Sequence, residues 1–217
     1  MRKASARRWE RRKDERPREL VAAALRLFSE RGFAATRLEE VAAAAGVSKG
    51  TVYLYFDSKE RLFEAVVREA VLPNLDRAEA LLRGYAGPTP ELIRGLVGLF
   101  RPLLDTPVTG VIKLIVAESG NFPQLARLYA DLVVRRGLGL LRSVIERGIA
   151  RGELRPVEPT AAAPLLIAPF ILLAVWKHSF GAHTDLSLDP QAVLEAHVET
   201  VLRGLSAGST PIPGPMP

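Results

Sequence analysis

The feature that most constrains this chain is a pair of short helix patterns in the stretch TRLEEVAAAAGVSKGTVYLYFDSKERLF, which begins at Thr36. Thr36 and Glu39 have the spacing of a capping box, which predicts a helix start. The alanine-rich segment that follows ends at Gly46, a residue that readily takes the left-handed conformation of helix ends. Ser48 then predicts the cap of a second helix that runs to about Phe56. Two short helices joined by a glycine-containing turn indicate a helix-turn-helix, whose second helix enters the major groove of DNA.

The positive charge of the chain lies at its N-terminus. Residues 1–18 hold nine Lys and Arg against three Asp and Glu, and this difference accounts for the whole net charge of +6. We predict that residues 1–16 form a basic, disordered arm, which either contacts DNA or only solubilises the chain. The same segment lacks the apolar stretch of a signal peptide, so we expect a cytoplasmic protein.

Helical periodicity continues through most of the sequence, which predicts an all-α protein. An apolar stripe ending at Gly32 indicates a first helix, formed by Leu20, Val21, Ala24, Leu27 and Phe28. After the helix-turn-helix we expect helices over residues 59–83, 90–104, 107–118, 122–151, 159–181 and 189–206.

This reading divides the chain into a DNA-binding head and a larger helical body. The head is a three-helix domain over residues 17–62, and the body is a regulatory and dimerisation domain over 63–206. The body begins with a connecting helix, 63–83. The Gly/Ser/Pro-rich residues 207–217 are predicted to be a disordered tail.

One apolar run could be mistaken for a membrane span. Ala161 to Trp176 carries no charge, but it is shorter than the roughly 20 residues that a membrane helix needs. It also contains Pro164 and Pro169. The run is therefore predicted to be a core helix of an all-α domain.

The head resembles the DNA-binding domain of the TetR family of transcriptional regulators. The likeness is carried by Gly32-Phe33, by Thr36, by the segments EVA and AGVSKGTVYLYF, and by SKERLF, and it covers about residues 17–70. Residues 118–129, ESGNFPQLARLY, are similar to the ligand domain of AefR-like members. The resemblance implies a dimeric repressor, released from a palindromic operator by a small molecule.

The DNA contacts are expected on the two helices of the motif and on the start of the next helix. The candidate residues are Thr36, Arg37, Ser48, Lys49, Gly50, Thr51, Tyr53, Tyr55 and Lys59. The resemblance implies that Tyr53 contacts the DNA backbone and Lys59 a phosphate, whereas Thr36 either contacts DNA or only caps its helix. Leu54 stands where family members often have histidine, and it reads a thymine methyl or nothing.

The body is expected to dimerise and to bind an inducer. Two heads on a palindrome must be held together, and apolar stripes on the last two helices suit a four-helix interface or packing within the subunit. The dimer candidates are Leu165, Leu166, Phe170, Leu173, Val193, His197 and Val201. The inducer is expected to be a small hydrophobic or aromatic molecule. The ligand candidates are Lys113, Glu118, Phe122, Tyr129, Trp176 and His178, and the alternative for each is a solvated or hydrogen-bonded structural residue.

Other classes of protein have weaker support. Gly46-Val47-Ser48-Lys49-Gly50 matches the nucleophile elbow of α/β-hydrolases, but no strand pattern precedes it. The three histidines lack metal-site spacing and the chain has no cysteine, so neither an enzyme, a metal site nor a cofactor is expected. A sequence-indifferent architectural DNA binder and a regulator that responds to a protein partner remain open alternatives.

Overall fold

A computed structural model describes the backbone of residues 2–208 and the side chains of residues 16–208. Within this part of the chain every regular element is helical, apart from one isolated antiparallel bridge between Leu154 and Ser206. The predicted all-α class is therefore confirmed. Of the tail that is predicted to be disordered, residues 209–217 lie outside the described residues.

Four helices make up the N-terminal part of the chain, and local capping sets their limits. They are α1 (Arg2–Arg31), α2 (Leu38–Ala44), α3 (Lys49–Tyr55) and α4 (Lys59–Val66). Gly32 and Gly46 follow α1 and α2 with φ values of 86° and 67°, the left-handed conformation that ends a helix. Ser48 and Ser58 cap α3 and α4, each accepting a hydrogen bond from the N–H three residues on. The helix-turn-helix is thus present as predicted.

The basic N-terminal segment differs from its prediction. Helix α1 begins at Arg2, so the backbone of residues 2–16 is helical where the sequence indicated a disordered arm. Arg, Lys, Glu and Ala dominate this segment and are strong helix formers, which favours its continuation from the apolar part of α1. Pro17 lies inside the helix, where it cannot donate the usual backbone hydrogen bond.

The remaining helices follow the predicted limits within a few residues. They are α5 (Leu72–Gly84), α6 (Thr89–Phe100), α7 (Gly110–Glu118), α8 (Pro123–Tyr129), α9 (Arg135–Ala150), α10 (Pro159–Val175) and α11 (Pro190–Leu205). Three π-helical turns continue α4, α8 and α10 without a break, at Val67–Val71, Ala130–Val134 and Trp176–Phe180. They lie where the sequence predicted continuous long helices, because a π-turn keeps the helical direction and adds one residue to a turn.

Backbone contacts group the chain into two compact units that alternate along the sequence. Unit 1 comprises Met1–Pro73 and Thr106–Val133, and unit 2 comprises Asn74–Asp105 and Val134–Pro217. Helices α7 and α8 thus belong with the helix-turn-helix, although the sequence assigned them to the body. The predicted boundary between the head and the body, after residue 62, remains a prediction.

The core of unit 1 is built around a group of phenylalanine rings. Phe33 lies at its centre, with ring centroids 5.5 Å from Phe28, 6.0 Å from Phe63 and 5.0 Å from Phe122. Phe28 belongs to α1 and Phe63 to α4, Phe33 lies in the loop after α1, and Phe122 directly precedes α8. Such tilted and edge-on pairs add to the burial of apolar area. Helix α7 packs on α1, and Gly110 permits the approach, since a Cβ there would lie 2.5 Å from that of Ser29.

Unit 2 is a bundle of α6, α9, α10 and α11 together with most of α5. Val144 and Ile145 of α9 and Ala163 of α10 are almost completely buried in its core. Arg147 holds the segment between α5 and α6, donating to the carbonyls of Tyr85 and Gly87 at 2.7 Å each. The guanidinium therefore satisfies two loop carbonyls that no helix pairs.

Helix α10 is longer than the uncharged run in the sequence indicated. With its π-turn it forms a 22-residue helix, Pro159–Phe180, of mean hydropathy 1.9, long and apolar enough to cross a membrane. The predicted shortness of the run is therefore wrong, because the helix extends past the uncharged residues at both ends. Only 33% of its most apolar stretch is buried. The predicted core role thus holds for one side of the helix, and the other side is exposed.

Candidate nucleic-acid interface

Helix α3 turns one side into unit 1 and the other towards solvent. Val52 is completely buried and Phe56, which follows the helix, is 9% exposed. The opposite side exposes Ser48, Lys49, Gly50, Tyr53 and Leu54. Leu54 is 75% exposed, which is unusual for a large apolar side chain on a short helix. An exposed helix with polar, aromatic and apolar groups on one side can present them to the edges of bases in a groove.

The start of α3 is shaped by two hydroxyl groups. Ser48 Oγ accepts a hydrogen bond of 3.2 Å from the N–H of Thr51 and lies 2.8 Å from Thr51 Oγ1. Ser48 is thus a helix cap, and the two side chains orient one another. Gly50 adds no side chain to this surface, so a partner can approach the backbone closely. Tyr55, in contrast to Tyr53, is half-buried against the core of unit 1.

A small polar cluster joins α2 to α3 on this exposed surface. Glu39 Oε1 lies 2.7 Å from Lys49 Nζ and accepts from the Tyr53 hydroxyl at 3.5 Å. The Lys49 ammonium is also 5.8 Å from the centre of the Tyr53 ring. The sequence named Lys49 and Tyr53 as DNA contacts and missed Glu39. The sequence indicated this role of Glu39 only by a carboxylate on α2, the helix before the one that carries Lys49.

Thr36 has a different position from the one expected. Its side chain is 1% exposed, and its hydroxyl donates to the carbonyl of Gly32 at 2.8 Å. The residue that caps α2 is Arg37, whose N–H donates to Glu40 Oε2 at 2.9 Å. Only the carboxylate half of a capping box therefore forms, from Glu40 to Arg37, because a guanidinium cannot accept a hydrogen bond, and the expected pair of Thr36 and Glu39 does not form. Thr36 is instead buried at the C-terminal end of α1. Arg37 itself is exposed, in keeping with a contact to DNA.

Lys59 also turns inward. Its ammonium donates to the carbonyls of Phe33 at 2.7 Å, Ala34 at 3.2 Å and Thr36 at 2.9 Å. It lies 4.4 Å from the centre of the Phe33 ring, and burial lowers the pKa of the lysine. An ammonium has three protons, so its donors are all used within the protein. The expected phosphate contact of Lys59 is not supported by this geometry, which gives the residue a structural role in the loop between α1 and α2.

Four of the six predicted ligand residues lie in unit 1, and two of them support the same loop. Glu118, at the end of α7, accepts a hydrogen bond of 3.1 Å from the N–H of Ala34. Phe122 packs edge-on against Phe33 in the core of unit 1. Tyr129 packs against this core as well, and burial raises its pKa to about 12. These three side chains are therefore structural parts of unit 1. Lys113 is half-buried on α7.

The other two predicted ligand residues belong to unit 2. Trp176 and His178 lie on the π-turn after α10, where the Trp176 ring is 5.7 Å from that of Phe180. A separate cavity of about 30 Å³ lies between the helices of this unit. It is lined by apolar residues alone, namely Ile93, Leu96, Val97, Phe100, Leu141, Leu166, Ile167, Phe170 and Leu194. None of the six predicted ligand residues lines it, and its volume is close to that of a single water molecule.

The predicted dimer residues fall on two different faces of the last two helices. Leu166, Phe170 and Leu173 are buried within the subunit, and Val193, His197 and Val201 are half-buried. Leu165 is 58% exposed. The exposed side of α10 is a continuous apolar stripe of Ala161, Pro164, Leu165, Ala168, Ile171 and Leu172. Most of the predicted stripe therefore forms the subunit's own core, and a neighbouring stripe faces outward.

Comparison with known proteins gives a consistent result along most of the chain. Residues 20–66 match the model of bacterial regulatory proteins of the tetR family, and residues 88–186 match that of the Tetracyclin repressor-like C-terminal domain. The HTH-type transcriptional regulator RutR of Escherichia coli K12 is 30% identical over 206 residues, covering 88% of this chain and 89% of RutR. The HTH-type transcriptional repressor NicS of Pseudomonas putida is 31% identical over 153 residues, covering 69% and 70%. A TetR family regulator from Pseudomonas syringae pv. tomato has a similar structure, with a TM-score of 0.64, 25% identity and coverage of 89% and 98%.

Proposed function

The chain belongs to the TetR family of bacterial transcriptional regulators and is not an enzyme, and on this premise we propose that it is a homodimeric repressor. The repressor leaves a palindromic operator when a small hydrophobic inducer binds. NicS carries the name of a repressor, which supports repression over activation. As a DNA-binding regulator the protein acts in the cytoplasm.

The observation that carries this proposal is the exposed side of α3. Lys49, Tyr53 and Leu54 share that side, while Val52 anchors the helix in the core. Polar and apolar groups together suit the major groove, where hydrogen-bonding edges alternate with thymine methyl groups. Arg37, at the start of α2, adds a cation for the DNA backbone. Thr36 and Lys59 are left out of this interface because both are engaged inside unit 1.

Dimerisation is supported by the apolar stripe on α10. Leu165 and Leu172 are 58% and 53% exposed, seven residues apart on one side of the helix. Contiguous apolar surface of this kind marks an interaction site, and a self-complementary face closes a two-fold dimer. Ala192 and Ala196 of α11 are exposed as well and allow close approach of a second copy. A dimer places two copies of α3 about one DNA turn apart, roughly 34 Å, to read the two halves of a palindrome.

Inducer binding is supported by the apolar cavity of unit 2. All of its lining residues are hydrocarbon or phenyl groups, so it favours a hydrophobic ligand. Its volume of about 30 Å³ is too small for an organic molecule, so the inducer must select a conformation in which the cavity is wider. The ligand releases the operator only in proportion to its preference for that conformation over the DNA-binding one.

A single binding experiment tests the regulatory function. The full chain is used to select binding sequences from a random pool of duplex DNA. The affinity for the selected DNA is then measured by fluorescence anisotropy at two salt concentrations. We expect enrichment of a palindromic site that still binds tightly at the higher salt. An absence of enrichment, with affinity that collapses as salt rises, would instead indicate an architectural DNA binder.

The same operator then serves to test induction. Apolar and aromatic compounds are screened for a decrease in operator affinity, together with a rise in the melting temperature of the free protein. A compound that does both is expected. If no compound changes either quantity, the inducer proposal fails and a protein partner becomes the better explanation.

A further inference from the structure

The cation at the start of α3 already has a partner within the protein. Lys49 is the only basic residue between Ser48 and Asp57, so it supplies the positive charge of the recognition helix. Its ammonium is 2.7 Å from Glu39 Oε1, and side-chain exposures of 64% and 44% place the pair on the surface. The pKa of Glu39 is lowered, chiefly by the hydrogen bond from Lys49, and the pKa of Lys49 is raised. Both groups are therefore charged at neutral pH.

This pairing has a direct consequence for binding to DNA. A lysine that neutralises a phosphate releases a condensed counter-ion, and each such contact steepens the dependence of affinity on salt. Glu39 uses one of the three N–H donors of Lys49 but balances its whole charge, so a phosphate contact gains the full counter-ion release only if Lys49 leaves Glu39. The carboxylate would then remain next to the phosphates, without the ammonium that had balanced its charge. The Tyr53 hydroxyl also donates to Glu39, at 3.5 Å.

We propose that Glu39 limits the affinity of the protein for DNA by acting as an internal counter-ion that competes with the phosphates for Lys49. The inference rests on the proposed DNA interface and adds a residue that regulates its strength. A regulator with a lowered background affinity spends less time on arbitrary DNA. It is also more easily released by an inducer, because less binding free energy has to be overcome.

The test compares Glu39→Gln with the wild-type protein on a random-sequence duplex and on the selected operator, over a series of salt concentrations. With a slope of about 0.9 per phosphate, one further contact steepens the plot of log affinity against log salt by about 0.9. By the same relation, the gain in affinity of the variant over the wild-type protein should be about eightfold larger at 0.1 M salt than at 1 M salt. We expect both effects on both DNAs. An unchanged slope, or weaker binding, would overturn the proposal, because Glu39 would then orient Lys49 for DNA and not withhold it.

Two further variants separate this effect from simpler ones. Glu69→Gln makes the same change of charge at an exposed position of unit 1, in the π-turn after α4, and it should leave the slope unchanged. An equal effect of Glu69→Gln would show that the slope depends only on the net charge of the protein, and it would overturn the proposal. In a Lys49→Gln background, Glu39→Gln should no longer steepen the slope, because the two substitutions act on one pair. If the wild-type chain selects no DNA, the proposed function itself fails, which is a different outcome from a normal operator with an unchanged slope.

Discussion

The carboxylate of Glu118 accepts a hydrogen bond from the backbone N–H of Ala34, 84 positions earlier in the chain, at 3.1 Å. The same oxygen lies 3.1 Å from the position that a Cβ would take on Gly32, whose φ of +86° already favours glycine. On the same loop, Lys59 binds three carbonyls. A carboxylate and an ammonium thus hold the connection between α1 and α2 within unit 1, and this connection leads directly into α2.

Replacing Glu118 should affect stability before it affects ligand binding. We expect Glu118→Ala to lower the free energy of unfolding by about 1 kcal/mol, since the N–H of Ala34 loses its acceptor. The melting temperature should fall by about 2–4 °C. Glu118→Gln keeps an acceptor oxygen and should lose less. A Glu118→Ala protein with an unchanged melting temperature and a lost response to inducer would show that the residue binds ligand.

Lys59→Met should destabilise the protein without altering the salt dependence of DNA binding. Three loop carbonyls lose their donor, and we expect a loss of about 2 kcal/mol in the free energy of unfolding, measured by urea denaturation. Arg37→Met is the contrasting variant. It removes an exposed cation beside α2, so it should decrease the salt slope by about 0.9 with little change in stability. A decreased slope for Lys59→Met would instead restore the phosphate contact expected from the sequence.

The exposed stripe of α10 should decide the oligomeric state. The double variant Leu165→Lys with Leu172→Lys places like charges on the proposed two-fold face, so the dimer should dissociate and operator affinity should fall. Sedimentation velocity gives the oligomeric state, and circular dichroism checks the fold. Leu186→Lys, at a position that is 66% exposed outside α10, is the control and should remain dimeric. A dimer that persists in the double variant would show that another surface is used.

Filling the cavity of unit 2 should block the response to an inducer. Val97 is half-buried and lines the cavity. Val97→Ile adds one methyl group, which suits a space of about 30 Å³, so an apolar compound that raises the melting temperature of the wild-type protein should do so less or not at all. Operator binding without the compound should be kept. An unchanged thermal shift in this variant would place the ligand elsewhere.

Stability should fall in mildly acidic solution because of His197. The Nε2 atom of this residue is buried and has no hydrogen-bond partner in the described part of the chain. Burial lowers the pKa of His197 below its ordinary value of 6.5, so the folded protein keeps the ring neutral where the unfolded chain takes up a proton. The contribution of the neutral ring to the free energy of unfolding is fully present above pH 6.5, and it is lost as the pH falls towards the lowered pKa of His197. Urea denaturation at pH 8 and pH 5.5 should show this loss, and it should be smaller in His197→Gln.

Local signals account for most of what could be predicted about the site. Gly46 and Ser48 define the turn and the cap of α3 through groups within a few residues, so their roles were confirmed. The capping box was misplaced by one residue, because Thr36 and Arg37 both precede an acidic residue by three positions. Only the burial of Thr36 and its bond to Gly32 distinguish the two.

The sequence by itself determined the all-α class, most of the helix limits and the helix-turn-helix, because periodicity, caps and left-handed glycines act over a few neighbouring residues. Only the tertiary structure decided which side of each helix faces the core. Helix α10 is apolar almost all round, so its pattern could not separate the buried Leu166 from the exposed Leu165. The inward turn of Lys59 and the bond of Glu118 to Ala34 depend on groups that are distant in the chain. Such contacts leave no periodic signal in the sequence, because they arise only when the helices pack.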